Sequence, residues 1–199
     1  MPRHAVPRRS FPMPKASELL PLLTDREAEM SERLEALRAL AYLDVKVDYL
    51  SLKAMKRNIH SDDALVSYVR CLARCSEEAR APMKKYLTHR LPAVRAEAVY
   101  GLSKYFEGGR DVARSFLSQR KLHPWQRVAA IRALAEIDLS AAQVEVMRRM
   151  NSESGEVALE FLQVLRRDLS DDHIPVLIDL LKQGRSRVTA EAAAMLQHI

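Results

Sequence analysis

Residues Pro92–Phe106 read PAVRAEAVYGLSKYF, and the same helical pattern recurs along the rest of the chain. Each copy carries an anchoring leucine at the same place in the pattern. These leucines are Leu40, Leu72, Leu102, Leu134, Leu165 and Leu196. Successive leucines are therefore 30 to 32 residues apart. An interval of this length is typical of a unit of two helices, and such units stack side by side in a solenoid.

Two copies share a more specific motif, in which proline, arginine, alanine and leucine stand at fixed spacing. The motif is formed by Pro92, Arg95, Ala98 and Leu102, and again by Pro124, Arg127, Ala130 and Leu134. It resembles the second helix of a HEAT repeat, including the HEAT-like repeats of the phycobilisome-lyase type, and the resemblance covers roughly residues 16–199. It implies an all-α, armadillo-like fold: a right-handed α-α superhelix of about six two-helix repeats. The arginine is replaced by Ala158 and Thr189 in the last two copies.

The local sequence predicts six helix pairs and no sheet. Only 6% of the residues are aromatic and only 5 are glycine, a composition that favours close-packed helices. The predicted pairs are 16–23 with about 24–43, 46–57 with 61–74, 78–87 with 92–106, 111–120 with 125–137, 141–150 with 156–167, and 172–182 with 187–199. We expect Gly108 and Gly109 to end the third pair, because glycine commonly stops a helix.

Residues 1–15 differ in composition from the rest. They contain four prolines and four basic side chains without any acidic one, whereas the remaining chain holds 28 basic and 26 acidic side chains. Such a density of proline denies a helix its backbone donors, so we expect a disordered basic arm at 1–15 and a repeat domain at 16–199. The arm is either an electrostatic tether to an acidic partner, a membrane or nucleic acid, or a terminus without a role.

The sequence favours a cytoplasmic protein. It has no apolar run of about 18 residues, and the N-terminal arginines are not followed by the apolar region of a secretory signal. Cys71 and Cys75 lie four residues apart on one predicted helix, and we expect two buried thiols in a reducing compartment. Two cysteines without further ligands are too few for a structural zinc site, which needs four.

The exposed face of the second helices is the predicted binding surface. Relative to each anchoring leucine, positions −6, −4 and −3 are almost all apolar and predict the core, so positions −5, −2 and +2 form the opposite face. We expect a partner protein to bind this concave face through Arg38, Arg70, Arg74, Tyr100, Lys104, Arg132 and Arg167. An acidic column runs beside them: Glu35, Glu97, Glu160 and Glu191. Arginine and tyrosine are enriched at protein interfaces. A nucleic-acid groove would carry one sign of charge, so nucleic acid is the less favoured partner.

The same face has a plainer interpretation, in which its charges are solvated and pair within one helix, as Glu35 with Arg38. His60, His89 and His123 precede three second helices, but at the spacing of adjacent helices they lie too far apart to share a metal, and capping roles are expected.

No recognisable catalytic or nucleotide-binding motif is present, so we expect neither an enzyme nor a cofactor. Some HEAT-like proteins resemble DNA glycosylases, and on that alternative Trp125 would stack on a base, Arg132 would contact a phosphate, and Glu97 or Glu136 would be the carboxylate. We expect instead that Trp125 is packed between two units. A second alternative, which rests on the resemblance alone, is a chromophore-lyase subunit that binds a tetrapyrrole together with a second HEAT-like chain.

Overall fold

A computed structural model describes residues 14–153, 155–184 and 186–199. Over these residues the chain is all-helical, with 77% helix and no strand, so the predicted all-α class is confirmed. The predicted basic arm lies almost entirely outside the described residues. Within those residues no helix is long and apolar enough to cross a membrane.

The described part of the chain contains twelve α-helices. They are α1 Ala16–Leu22, α2 Met30–Tyr42, α3 Tyr49–Met55, α4 Asp62–Leu72, α5 Arg80–Lys84, α6 Pro92–Lys104, α7 Gly109–Ser118, α8 Pro124–Ile137, α9 Leu139–Arg149, α10 Gly155–Leu165, α11 Ile174–Lys182 and α12 Ser186–Leu196. Short 3-10 turns follow α3, α5, α9 and α10 and precede α5 and α11.

Helices α2 and α5 are shorter than predicted, each for a local reason. Helix α2 begins at Met30 rather than after Thr24 or Asp25, because Glu29 and Glu32 form a capping box there. Helix α5 shrinks to five residues around Pro82, whose ring removes a backbone donor.

The two glycines do not end the third pair. Helix α6 ends earlier, at Lys104, and Gly109 is the first residue of α7. Gly108 has a φ of 70°, which suits glycine, and a Cβ on Gly109 would lie 1.8 Å from the carbonyl oxygen of Ser103. The pair therefore makes a tight connection between α6 and α7.

In the first and third copies, the arginine at the motif register ties the second helix to the segment before it. Arg95 donates to the carbonyl of His89 at 2.7 Å, and Arg33, at the same register in the first copy, donates to the carbonyl of Leu23 at 2.8 Å. Arg127 instead makes both its short bonds to Glu153, at 2.7 and 2.8 Å. That carboxylate is only 4% exposed. The resemblance to a HEAT repeat therefore rests on residues that hold the helix in place.

Helix packing follows chain order. Each odd-numbered helix packs on the even-numbered helix after it, and the even-numbered helices contact one another in the order α2, α4, α6, α8, α10, α12. The buried side chains form two clusters that meet at α6, where Val99 belongs to the C-terminal cluster and Val94 and Ala98 to the N-terminal one. Five of the anchoring leucines are buried and Leu196 is partly buried. All the main interactions are therefore between elements that are near neighbours in sequence.

The two cysteines are buried and unpaired, as predicted. Burial raises the pKa of Cys71 and of Cys75 to about 12, so both are neutral thiols at physiological pH. They belong to the core and carry no reactive chemistry.

Candidate functional site

A groove of about 770 Å³ runs across α2, α4, α6, α8 and α10. Its floor consists of small apolar side chains: Val66, Ala93, Ala96, Val128, Ala129 and Val157. Two aromatic side chains stand at its sides, Tyr42 from α2 and Trp125 from α8, and they are 73% and 55% exposed. The charged side chains that line it are Arg70, Arg74, Glu97, Arg132, Glu136, Glu156 and Glu160.

One part of the predicted core is wrong, because it forms the floor of the groove instead. Val66, Ala96 and Val128 occupy position −6 and were expected in the core, but they are half-buried and line the groove. The residues at −4 and −3, such as Ala98 and Val99, are fully buried as predicted. At 3.6 residues per turn, position −6 lies only about 40° around the helix from position −2, so it is at the margin between core and groove.

Two of the predicted binding residues pair with the next even-numbered helix. The guanidinium of Arg70 on α4 donates to Glu97 on α6, and it lies 5.6 Å from the centre of the Tyr42 ring. Arg132 on α8 binds both oxygens of Glu160 on α10, at 2.5 and 2.6 Å. The basic column of one helix thus meets the acidic column of the next.

This pairing differs from the plainer interpretation of the surface. Ion pairs within one helix were the expected alternative, yet Glu35 and Arg38 make no ion pair with each other. A similar bond recurs near the C-terminal end, where Arg166, directly after α10, donates to Glu191 on α12 at 2.8 Å. The charged columns therefore join successive helices.

A hydrogen-bonded cluster joins α6 to α8 beside the groove. Tyr100 donates to Glu136 at 2.8 Å, and the Lys104 ammonium lies 2.6 Å from the same carboxylate and 3.1 Å from the Tyr100 hydroxyl. Burial raises the pKa of Tyr100 to about 12. Burial alone would lower the pKa of Lys104, but its bonds to Glu136 and Tyr100 outweigh that effect and raise it. Lys104 is therefore charged, and the Glu136 carboxylate neutralises its charge.

A second cluster closes the α2 end of the groove. Asp44 accepts from Tyr105 at 2.5 Å and from Arg74 at 2.7 Å. The Tyr105 hydrogen bond, together with the positive charges of Arg74 and Lys104, lowers the pKa of Asp44. Arg74 also donates to the Ala41 carbonyl at 2.8 Å, which ties α4 to the end of α2.

The structure brings together five of the seven predicted binding residues. Arg70, Arg74, Tyr100 and Arg132 line the groove, and Lys104 bonds to one of them. Arg38 and Arg167 are exposed, lie outside the groove and have no ion-pair partner among the described residues. Arg38 precedes Ala41 and Tyr42, the residues of α2 that line the groove, and Arg167 follows the end of α10.

Trp125 was expected to pack between two units, and that expectation is wrong. It lies in the first turn of α8, where Pro124 is the first residue and the backbone N–H of Trp125 donates to Nδ1 of His123 at 3.3 Å. The residue at the same register of the neighbouring helix α6 is only Ala93, so the ring stays open to the groove.

The sequence did contain a signal for Trp125. Positions −9, −5 and −2 are spaced by four and three residues, so they lie on one helix face. Extending the predicted surface one turn toward the N-terminus of each helix adds position −9. In the last four copies that position is held by Ala93, Trp125, Glu156 and Arg187. Three of these line the groove, and Arg187 lines an adjoining recess.

One of the three histidines, His123, caps a helix as expected, and His89 bonds to the backbone just before α6. Nδ1 of His123 accepts from Trp125, and Nδ1 of His89 accepts from the backbone of Leu91 at 3.2 Å. His60 is exposed. Over residues 14–153, 155–184 and 186–199, no three His, Cys, Asp or Glu side chains cluster in a way that could hold a metal ion.

Comparison with known proteins adds little to this geometry. No protein-family model matches the chain, and no curated protein matches it in sequence. An engineered protein, whose crystal structure was a target of the Northeast Structural Genomics Consortium, is similar over 93% of this chain and 96% of its own, with 19% identity and a TM-score of 0.43. A likeness at that TM-score is too distant to bear on fold or function.

Proposed function

We propose that this chain is a non-catalytic scaffold or adaptor that binds a partner protein along the groove. Its helices form a HEAT-like solenoid, a right-handed superhelix of about six two-helix repeats with the groove on its concave side. The proposal is supported by the contacts of α2 through α12 in order, and by the placement of odd-numbered helices on the even-numbered ones. The compartment is the cytoplasm, where unpaired cysteines are the rule.

The observation that carries the proposal is the exposure of Trp125 on α8 and Tyr42 on α2, which line one groove together with small apolar side chains. Large aromatic side chains that remain accessible beside a contiguous apolar surface mark binding sites. Aromatic residues and arginine are also the side chains that contribute most when an interface forms. The groove combines both with a floor of alanine and valine, against which a partner backbone can approach closely.

The cross-helix bonds support binding by holding the groove side chains in place. Arg132 is fixed by two bonds to Glu160, and Tyr100 by bonds to Glu136 and Lys104. Side chains that are already ordered lose less conformational entropy on association. A partner therefore meets a surface that is largely preformed.

The test is a capture experiment with a matched pair of variants. Wild-type protein, Trp125→Ala and Leu50→Ala are immobilised, because Leu50 is also exposed, at 68%, but lies on α3 outside the groove. We expect Trp125→Ala to lose one or two proteins that the wild type and Leu50→Ala both retain after nuclease treatment. Their direct binding is then measured with purified components. Equal recovery on all three forms would contradict a partner site in the groove.

A specific observation favours a second candidate, a DNA-binding protein or HEAT-like DNA glycosylase. Trp125, Arg132, Glu97 and Glu136 all line the same groove. Against it, the Arg132 guanidinium is already bound to Glu160, and a phosphate would have to compete with that carboxylate. Titration with labelled oligonucleotides decides the matter, since binding through phosphates falls by orders of magnitude between about 50 and about 200 mM salt.

The chromophore-lyase alternative stays a prediction that rests on the resemblance alone. It requires a tetrapyrrole absorbance change on mixing with a second HEAT-like chain, and none of the groove contacts favours it over a protein partner.

A further inference from the structure

The charges of the groove are almost completely paired within the protein. The pairs are Arg70 with Glu97, Arg74 with Asp44, Arg132 with Glu160, and Lys104 with Glu136. Among the charged side chains that line the groove, only Glu156 has no ion-pair or hydrogen-bond partner in the described part of the chain. The one unpaired charge among these lining side chains is therefore negative.

The free carboxylate and the exposed indole line the same groove. Trp125 and Glu156 are each the second residue of their helices, α8 and α10, and these two helices pack against each other. Packed helices have axes about 8–10 Å apart. A side chain that enters between the two first turns therefore has the Trp125 ring on one side and the Glu156 carboxylate on the other. Glu160, one turn farther along α10, stays bound to Arg132.

This combination selects a cationic group. A guanidinium or ammonium is attracted to the face of an indole, and it forms a charge-assisted hydrogen bond with a carboxylate. An anionic group would meet the unpaired carboxylate and find no free cation among the charged side chains of the groove. The neighbouring floor residues Ala93 and Val128 are small and apolar, so they accommodate apolar residues beside the cation.

We propose that the partner of the groove is a peptide segment with one arginine or lysine side chain between Trp125 and Glu156, flanked by apolar residues. The inference rests on the proposed function and names the chemistry of the segment that is bound. Arg187 limits it to a single cation. This arginine lines an adjoining recess of about 450 Å³ together with Glu156, makes no ion pair with it, and repels a second positive charge there.

The test uses two synthetic peptides that differ only in charge. One is a short capped peptide of leucine and alanine around a central arginine, and the other has citrulline, a neutral isostere, in its place. Both are titrated by calorimetry into the full chain, into Glu156→Gln, and into Glu78→Gln. Glu78 is the matched control, because it is exposed, lacks an ion-pair partner in the described part of the chain and lies outside the groove.

We expect the full chain to bind the arginine peptide about tenfold more tightly than the citrulline peptide, as a charge-assisted hydrogen bond implies. Glu156→Gln should reduce that preference to about twofold or less, whereas Glu78→Gln should keep it. This pattern would support the inference.

The other outcomes overturn it in distinguishable ways. Equal binding of the two peptides would leave the groove as an apolar protein-binding site and remove the cation subsite. Absence of binding by either peptide at millimolar concentration would also overturn the inference, while the capture experiment with Trp125→Ala decides the proposed function separately. Stronger binding of a single-stranded oligonucleotide than of the arginine peptide would favour the nucleic-acid candidate.

Discussion

At the scale of single residues, Asp44 shows how the surface charges of this protein are used. It has a φ of 50° and joins Arg74, just after α4, and Tyr105, just after α6, to the turn after α2. Asp44 is 30 residues from Arg74 and 61 residues from Tyr105 in the sequence, so no local pattern could have shown this cluster. The side chain is more than half exposed, and its contribution to stability is correspondingly modest.

We predict that Asp44→Asn lowers the free energy of unfolding by about 0.5–1 kcal/mol at neutral pH, because asparagine tolerates this φ but cannot pair with Arg74. The folded-state pKa of Asp44 is depressed below 3.8, so the contribution is present above that value and is lost as pH falls through the lower folded-state pKa. The gap between wild type and variant should therefore close below about pH 4.

Urea unfolding at a series of pH values measures this gap. Asp172→Asn is the control, since Asp172 is exposed and has no ion-pair partner in the described residues. A gap that persists unchanged at acid pH would show that the effect of the substitution is not electrostatic.

At the scale of elements, the approach of α6 to the end of α4 depends on a missing side chain. A Cβ on Gly101 would lie 2.5 Å from the Cβ of Ala73, closer than side-chain carbons approach in folded proteins. Gly101 is buried in the last turn of α6, where alanine would otherwise be the better helix former. Close packing of the two helices therefore outweighs helix propensity at this position.

We predict that Gly101→Ala destabilises the protein by about 1–3 kcal/mol, because α4 and α6 must separate to admit the methyl group. Gly155→Ala is the matched control. Gly155 is also helical, has no positive φ and has open space around its Cβ position, so alanine should be neutral or slightly stabilising there. Thermal unfolding of both variants measures the difference. If Ala73→Gly restores the stability that Gly101→Ala loses, the clash lies between these two side chains. Equal stability of Gly101→Ala and Gly155→Ala would contradict the clash.

At the scale of the whole molecule, the buried side chains form two clusters that meet at α6. Helix α6 contacts both halves of the chain and contributes side chains to both buried clusters. Helix α1 packs mainly on α2, and helix α12 packs mainly on α11 and α10. In an array in which each unit rests on its neighbours, the ends open at a lower free energy than the middle.

We predict that amide hydrogen exchange under native conditions is slowest in α6 and α8 and markedly faster in α1 and α12. The measurement is exchange followed by mass spectrometry of peptic fragments, with the intrinsic exchange rates of each fragment as the reference. Uniform protection from α1 to α12 would indicate one cooperative unit and contradict stacking of separable repeats.

The helical character and the buried columns of this protein were determined by the sequence alone. In the first five copies, residues at −4 and −3 from the anchoring leucine are buried as predicted, because the 3.6-residue period of a helix is a local property of the chain. The column at −2 was likewise identified as exposed, and Arg70, Tyr100 and Arg132 from that column line the groove.

Only the tertiary structure decided which exposed residues share the groove and which charges remain free in it. Arg70 and Glu97 are 27 residues apart, and Tyr100 and Glu136 are 36 apart. Whether such side chains meet depends on how far one helix is shifted along its neighbour, and no periodicity within a helix encodes that shift. At the first turn of α8, the neighbouring helix α6 presents only Ala93, so Trp125 is exposed where the sequence suggested a buried ring. Glu156 lines the same groove and has no ion-pair partner in the described part of the chain.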